Sequence, residues 1–136
     1  MNNKIEEDFP PQTLRIIDAN LNRLREGIRV VEDICRFHKN SQELSSQLKK
    51  LRHASRLHNF HELLSSRDII NDPLKKTTQS ETTRESLEMI LISNIKRSQE
   101  SSRVLEEILK LSNNQDAEKF KNIRYELYNL EKEILL

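Results

Sequence analysis

The sequence predicts an all-α protein, a four-helix bundle made of two duplicated helical hairpins joined by a long loop. Its 136 residues include one glycine, three prolines and 4% aromatic residues, which leaves little of the turn chemistry that sheets and barrels require. Apolar residues recur at alternating steps of three and four, as in helices that pack against other helices. Two pairs of segments also resemble each other at a nearly constant separation, which indicates a duplicated unit. The length fits a single domain, residues 1–136.

The first hairpin is predicted from two apolar stripes. Helix one runs from about residue 11 or 13 to residue 37, and helix two begins after the N-cap residue Ser41 and continues to Leu64. Cys35 has apolar neighbours, which indicate a core residue rather than a reactive thiol. The stripe of helix one comprises Ile17, Leu21, Leu24, Ile28, Val31 and Cys35, and that of helix two comprises Leu44, Leu48, Leu51, Ala54, His58, Phe60 and Leu64.

A long irregular connection separates the hairpins. Between Ser65 and Thr83 the apolar period disappears, and the segment SSRDIINDPLKKTTQSETT has the Ser, Thr, Asn, Asp and Pro content of a loop. Loops longer than about a dozen residues are often functional, so this one is a candidate site element. Helices three and four follow, with stripes formed by Leu87, Leu91, Ile95, Leu105, Ile108 and Leu109 and by Phe120, Ile123, Leu127, Leu130 and Ile134.

The duplication is carried largely by polar residues. NLNRLREGIRVVED, residues 20–33, and NIKRSQESSRVLEE, residues 94–107, share the same residue at six places. In the helices that follow, LKKLRH at residues 48–53 resembles FKNIRY at residues 120–125. Helix one therefore corresponds to helix three, and helix two to helix four. The six shared places are Asn20, Arg23, Glu26, Arg29, Val30 and Glu32 and, in the second copy, Asn94, Arg97, Glu100, Arg103, Val104 and Glu106.

Two interpretations fit these polar positions. Residues three or four apart on charged helices form exposed ion pairs, each worth about 0.2–0.5 kcal/mol. Alternatively they line a ligand site, because Gly27 inside a helix costs about 1 kcal/mol relative to alanine, and its counterpart is the small Ser101. The stretch from Ser93 to Ser102 contains one aliphatic residue, Ile95, so small polar groups interrupt the core stripe. Such a gap predicts a polar cavity between facing helices.

Composition and motifs argue against several functions. The net charge of +1 provides no field that would recruit nucleic acid or an acidic membrane. There is no apolar run long enough to cross a bilayer, and the N-terminus lacks the apolar core of a signal peptide, so we expect a cytoplasmic protein. His58 and His61 form a pair without the carboxylates of a metal site, which indicates surface or core-rim histidines. A single glycine also excludes a Walker loop, a Gly-rich kinase loop and a dinucleotide fingerprint.

The segment RIIDANLNRLREGIRVVEDICRF, residues 15–37, resembles the opening of a small all-helical family of hydroxymethylpyrimidine phosphate kinases in thiamine biosynthesis. Members occur alone or fused ahead of a thiamine-phosphate synthase domain. The resemblance continues in LKKLRH, in SRDIINDP at residues 66–73, in NIKRSQESSRVLEE and in IRYELYNLE at residues 123–131, so it covers nearly the whole chain. Leu74 departs from the pattern, because the family tends to carry a glycine soon after the Asp-Pro of the loop.

The resemblance implies transfer of the γ-phosphoryl group of ATP onto the phosphate of 4-amino-2-methyl-5-hydroxymethylpyrimidine phosphate, which gives the diphosphate. ATP and Mg²⁺ are therefore the expected cofactors. Arginine side chains bind phosphate groups, and carboxylate side chains bind Mg²⁺. Asp68 and Asp72 are expected to position Mg²⁺ with Glu26 or Glu100. The expected catalytic residues are Arg23, Arg67, Asp68 and Arg97, and the expected binding residues are Asn20, Glu26, Gly27, Asn94, Glu100 and Ser101.

Other interpretations also fit the sequence. One is a non-catalytic helical interaction domain that partners thiamine-phosphate synthase, and another is a different helical enzyme such as a chorismate mutase, which needs no nucleotide. Four residues of the repeat lie about a third to half of the way round the helix from Asn20 and Asn94, so they are as compatible with salt bridges, between helices or across a dimer, as with a role in the site: Arg29, Arg103, Glu32 and Glu106. Met89, Ile92 and Val104 lie off the main stripe and favour a homodimer. The repeated polar residues form two polar strips, one within residues 20–33 and one within residues 94–107. The sequence leaves open which strip binds ATP and which binds the pyrimidine.

Overall fold

The computed structural model describes residues 9–78, 83–112 and 114–136, and within these ranges the chain is helical without strands. The all-α prediction is therefore confirmed. Pro10 and Pro11 begin the first helix, where the fixed φ of proline suits the first turn and its missing N–H costs nothing. The α-helices are α1 (Pro11–Asp33), α2 (Gln42–Ala54), α3 (Phe60–Ser66), α4 (Leu87–Leu109) and α5 (Asn114–Leu135), and a π-helical turn (Ile34–His38) extends α1.

Two central helices, α1 and α4, share the most extensive contact in the molecule. The first hairpin packs α2 and α3 against α1, and the second packs α5 against α4. The apolar stripes predicted for α1, α4 and α5 supply most of the core. Cys35 is fully buried, as predicted, and burial raises the pKa of its thiol, which keeps it protonated. No helix in the described ranges is long and apolar enough to cross a bilayer.

Gly27 lies at a close contact between α1 and α4. A Cβ atom at this position would overlap the hydroxyl oxygen of Ser98 and would lie 2.9 Å from the main-chain oxygen of Asn94. The Ser98 hydroxyl also donates a hydrogen bond of 3.3 Å to the carbonyl of Leu24. Leu24 and Ser98 occupy equivalent places in the repeat, and contact between equivalent places is what a twofold axis between two helices produces. The duplication is therefore visible as approximate internal symmetry.

The prediction of a continuous second helix is wrong, so the described residues form five helices rather than four. The helix ends at Ala54 and resumes only at Phe60. Ser55 is the C-cap of the first part: its amide donates to the carbonyl of Arg52, three residues back, and its hydroxyl donates 2.7 Å to the carbonyl of Leu51. The equivalent place in the unbroken α5 holds the buried Leu127.

The break also changes which residues of the second stripe reach the core. Phe60 and Leu64, both predicted to be buried, are 59% and 42% exposed. Leu63 is buried in their place. The predicted N-cap of the helix is confirmed, because the Ser41 hydroxyl accepts a hydrogen bond of 3.1 Å from the Leu44 amide.

Candidate functional site

One ion pair joins the two helices of each hairpin, and the two pairs occupy equivalent places in the repeat. In the first, the Arg52 guanidinium binds both carboxylate oxygens of Glu32, with Nε–Oε1 2.7 Å and Nη2–Oε2 3.1 Å. In the second, Arg124 Nη2 lies 2.7 Å from Glu106 Oε1. Burial alone would raise the pKa of Glu32, but the hydrogen bonds and charge of Arg52 outweigh it and lower that pKa. Glu32 and Glu106 thus form salt bridges between helices, one of their two predicted roles.

The repeated arginines next to these pairs have a simpler role. Arg29 lies 3.5 Å from Asp33 and Arg103 lies 3.2 Å from Glu107, each as an exposed pair one helical turn apart. For these two positions the ion-pair interpretation is correct. Pairs of this kind contribute about 0.3–0.5 kcal/mol each.

The remaining charged residues of the repeat are exposed and available. Arg23 and Glu26 on α1, and Arg97 and Glu100 on α4, lie on the surface. None of the four makes an ion pair within the ranges that the structure describes. An arginine and a carboxylate are therefore presented at equivalent places on both central helices, without a structural partner to occupy them.

The repeated asparagines begin each polar strip in the same way. Asn20 Nδ2 donates 2.9 Å to the carbonyl of Ile16, and Asn94 Nδ2 donates 2.8 Å to the carbonyl of Ile90. Each hydrogen bond orients the carboxamide along its own helix. The exposed arginine of the same copy, Arg23 or Arg97, follows about one turn later. The identical geometry in both copies extends the internal symmetry to the candidate site.

Side-chain hydrogen bonds attach the start of the long loop to α1. The Arg67 guanidinium binds Asp18 through two bonds, Nε–Oδ2 2.8 Å and Nη2–Oδ1 2.9 Å. Arg15 Nη2 donates 3.0 Å to the main-chain oxygen of Asp68. The hydrogen bond to Asp18 is the main cause of the raised pKa of Arg67, and the charge of Glu26 adds to it. The predicted loop arginine thus lies beside the α1 half of the polar repeat.

The two loop aspartates organise turns. Asp68 Oδ1 accepts 3.1 Å bonds from the amides of Ile70 and Asn71, and Asp72 Oδ1 accepts a 2.9 Å bond from the amide of Leu74. A further bond from the Asn71 side chain is the largest cause of the lowered pKa of Asp68. Leu74 has no positive φ, so the glycine expected by resemblance is not required by this backbone.

The expected magnesium ligands do not form a complete protein site. Among the described residues, no group of three or more His, Cys, Asp or Glu side chains is arranged to hold a metal ion. Asp72 is nevertheless exposed on the loop, and Asp68 is partly exposed. Mg²⁺ commonly binds one or two carboxylates together with substrate phosphates and waters, and two surface carboxylates fit that mode.

Gly27 and Ser101 lie between the central helices. The space beside Gly27 is occupied by α4, and the Ser101 hydroxyl donates 2.8 Å to the carbonyl of Arg97. Ser102 likewise donates 3.0 Å to the carbonyl of Ser98. The small polar residues that interrupt the stripe of α4 therefore bond to main-chain carbonyls and allow close packing, and beside Gly27 the predicted polar cavity is filled by α4.

Sequence reasoning missed two residues that shape the site, Arg15 and Asp18. Both belong to the segment RIIDANLN, but their partners lie 53 and 49 residues away. The available signal was Asp18 itself, a carboxylate next to the apolar stripe of α1, where a buried charge requires a partner. Arg97 and Glu100 lie on the other central helix, and no described hydrogen bond or ion pair connects them to the loop.

Comparison with known proteins matches the chain to one family and to a part of several longer enzymes. The family model "ThiD2 family" matches residues 15–133. Thiamine-phosphate synthases of Nostoc punctiforme and a Synechocystis species are 39% and 38% identical over 131 and 132 residues, each match covering 96% of this chain and 37% or 38% of the relative. That of Rhodopirellula baltica is 37% identical over 128 residues, 90% of this chain and 34% of the relative. The chain thus spans little more than a third of these curated relatives, and no solved structure gives a significant match.

Proposed function

The chain belongs to the ThiD2 family, and on that basis we propose that it is a phosphotransferase of thiamine biosynthesis. The reaction moves the γ-phosphoryl group of ATP onto the phosphate of 4-amino-2-methyl-5-hydroxymethylpyrimidine phosphate and forms the diphosphate and ADP. The accepting phosphate oxygen is ionised at neutral pH, so the reaction needs no strong general base. Its main requirement is to bring two polyanions together and to neutralise the charge of the transition state.

One observation carries this proposal: exposed, unpaired arginines and carboxylates stand at equivalent places on both central helices. Arg23 and Glu26 form one strip on α1, and Arg97 and Glu100 form the other on α4. Each strip carries one positive and one negative side chain. A reaction between two phosphate-bearing substrates needs two such strips, one for each polyanion. Arginine suits this role because its planar fork binds phosphate through two hydrogen bonds.

The loop supplies the third arginine and the magnesium ligands in this proposal. Arg67 uses Nε and Nη2 to hold Asp18, and a guanidinium carries five N–H donors in total. Its outer donors are therefore available to a phosphate while Asp18 fixes its position. Asp68 and Asp72 then hold Mg²⁺ with Glu26 or Glu100, and the ion bridges phosphate oxygens as it does in other phosphotransferases.

Asn20 and Asn94 are assigned to substrate recognition. Their amide N–H groups are directed at the helix backbone, so the carboxamide oxygen is the atom that remains to accept a bond. An acceptor at that place suits the amino group of the pyrimidine. Gly27 and Ser101 contribute indirectly, because they allow the two strips to approach each other.

The test measures ADP release by the folded chain with ATP and Mg²⁺. We expect turnover with the pyrimidine phosphate and none with the unphosphorylated alcohol. Arg97→Ala should reduce turnover at least about tenfold, equal to about 1.4 kcal/mol of transition-state stabilisation, with unchanged circular dichroism. Arg103→Ala is the matched control, because it removes an exposed arginine of the same helix. Equal turnover in both variants and the parent protein would refute the assignment.

A second candidate function is a non-catalytic domain that partners thiamine-phosphate synthase. It is favoured by the exposed apolar residues of the loop, Ile69, Ile70 and Leu74, which are 70%, 77% and 86% exposed. The same assay separates the two functions. Absence of ADP release from folded protein with either pyrimidine would favour the partner domain.

A further inference from the structure

A half-buried arginine on α1 has no partner of its own. Arg25 Nε is inaccessible to solvent and makes no hydrogen bond. Within the described ranges its guanidinium also forms no ion pair. Burial, followed by repulsion from Arg56 and Arg52, lowers the pKa of Arg25. A buried donor without an acceptor costs about 1–3 kcal/mol, and an anion that approaches from solvent can meet only the outer nitrogens of this guanidinium.

Most of the neighbouring charges on the first hairpin are positive, although the carboxylate of Glu26 also acts on Arg25 and opposes the lowering of its pKa. Arg52 is neutralised by Glu32, but Arg56 is exposed just beyond α2 and makes no ion pair in the described residues. Its carbonyl accepts a 2.6 Å bond from Lys119 Nζ, which brings another cation to the same end of the helix. The net result is a patch in which cations outnumber carboxylates.

The second hairpin holds neutral, hydrogen-bonded side chains at the two equivalent places. Gln99 stands at the position equivalent to Arg25, and its side chain donates 2.9 Å to Glu131 Oε1. Tyr128 stands at the position equivalent to Arg56, and its hydroxyl accepts 3.2 Å from Arg124 Nη1. The first hairpin therefore carries two arginines where the second carries neutral residues with internal partners.

We propose that Arg25 and Arg56 form a binding site for a phosphate-class anion, whose oxygens accept hydrogen bonds from the outer nitrogens of both guanidinium groups. Two guanidinium groups on different elements bind a phosphate or diphosphate group from two sides. Arg52 remains held by Glu32 and adds to the positive field. The site lies on the first hairpin only, so it gives the two symmetric halves different ligand preferences. It does not depend on the transfer reaction proposed above.

The test follows the arginine Nε–H resonances of the full chain by NMR during titration with inorganic diphosphate at constant ionic strength. We expect a saturable change at Arg25. Arg25→Gln and Arg56→Tyr install the residues of the second hairpin, and each should raise the Kd for diphosphate at least about tenfold, equal to about 1.4 kcal/mol. Arg103→Gln removes one equal charge from an exposed pair and should change the Kd less than twofold.

The outcomes are distinct. No saturable change at Arg25, or equal weakening by Arg103→Gln, overturns the site. Competition identifies the source of the anion: displacement of diphosphate by ATP assigns the site to a nucleotide, and displacement by the pyrimidine phosphate assigns it to that substrate. Displacement by neither assigns it to free inorganic anions. Because binding is measured without turnover, failure here leaves the ADP-release result unaffected.

Discussion

Replacing Gly27 by alanine tests whether α1 and α4 pack as closely as the structure places them. The new methyl group would overlap the hydroxyl of Ser98 and press on the main-chain oxygen of Asn94 at 2.9 Å. The hydroxyl can rotate away, but it then gives up its bond to the Leu24 carbonyl. The Asn94 oxygen is part of a helix and moves only if α4 moves.

The expected magnitude follows from opposing effects. Alanine in a helix interior is favoured over glycine by about 1 kcal/mol. Overpacking a close contact costs about 1–3 kcal/mol, and loss of the Ser98 hydrogen bond adds about 1 kcal/mol. We therefore expect Gly27→Ala to lower the free energy of unfolding by about 2 kcal/mol. For a chain of this size the Tm should fall by about 6 °C or more.

Urea unfolding followed by circular dichroism measures this loss, and a double-mutant cycle identifies its origin. Ser98→Gly removes the hydroxyl that the methyl group would meet. Gly27→Ala should therefore be less destabilising in a Ser98→Gly background than in the parent protein. If Gly27→Ala raises stability, helix propensity dominates and the close contact between α1 and α4 is refuted.

Three further predictions concern the ion pairs. Glu32→Gln should destabilise the fold by about 3 kcal/mol in urea unfolding, because Arg52 is left unpaired, whereas Glu107→Gln in an exposed pair should cost less than about 1 kcal/mol. The pKa of Glu32 in the folded state is lowered from 4.5. The stability that its carboxylate contributes is therefore complete above pH 4.5 and is lost as the pH falls through the folded pKa. Glu32→Gln should weaken the dependence of the unfolding free energy on pH in the acid range, as measured by unfolding at a series of pH values. Asp18→Asn should release Arg67 and increase proteolysis within residues 67–78, with little loss of helical circular dichroism.

Much of the fold was predictable from local pattern. The stripe of α1 and the heptad-like stripe of α5 gave mostly buried residues, with Leu21 and Ile134 partly buried, because the apolar period of three and four is continuous there. The second helix was mispredicted at Ser55, where a polar residue replaces the core position held by Leu127. A comparison of the two hairpins residue by residue, rather than of their stripes, would have located that break.

The site was predictable only in part. The repeat identified the residues of the two strips, but it did not separate those used for structure from those left unpaired. Glu32 and Glu106 were distinguished from Glu26 and Glu100 by their partners, Arg52 and Arg124, which lie 20 and 18 residues away. The attachment of Arg67 to Asp18 spans 49 residues, and no local period encodes such a pairing.

The most direct test of the central proposal is to follow all phosphorus-bearing species by phosphorus NMR while the folded chain acts on ATP, Mg²⁺ and the pyrimidine phosphate. If the chain is this phosphotransferase, the pyrimidine diphosphate and ADP appear together, in equal amounts, as ATP and the pyrimidine phosphate disappear. ATP and the pyrimidine phosphate that persist unchanged, or ADP that forms with inorganic phosphate and no diphosphate, would contradict it.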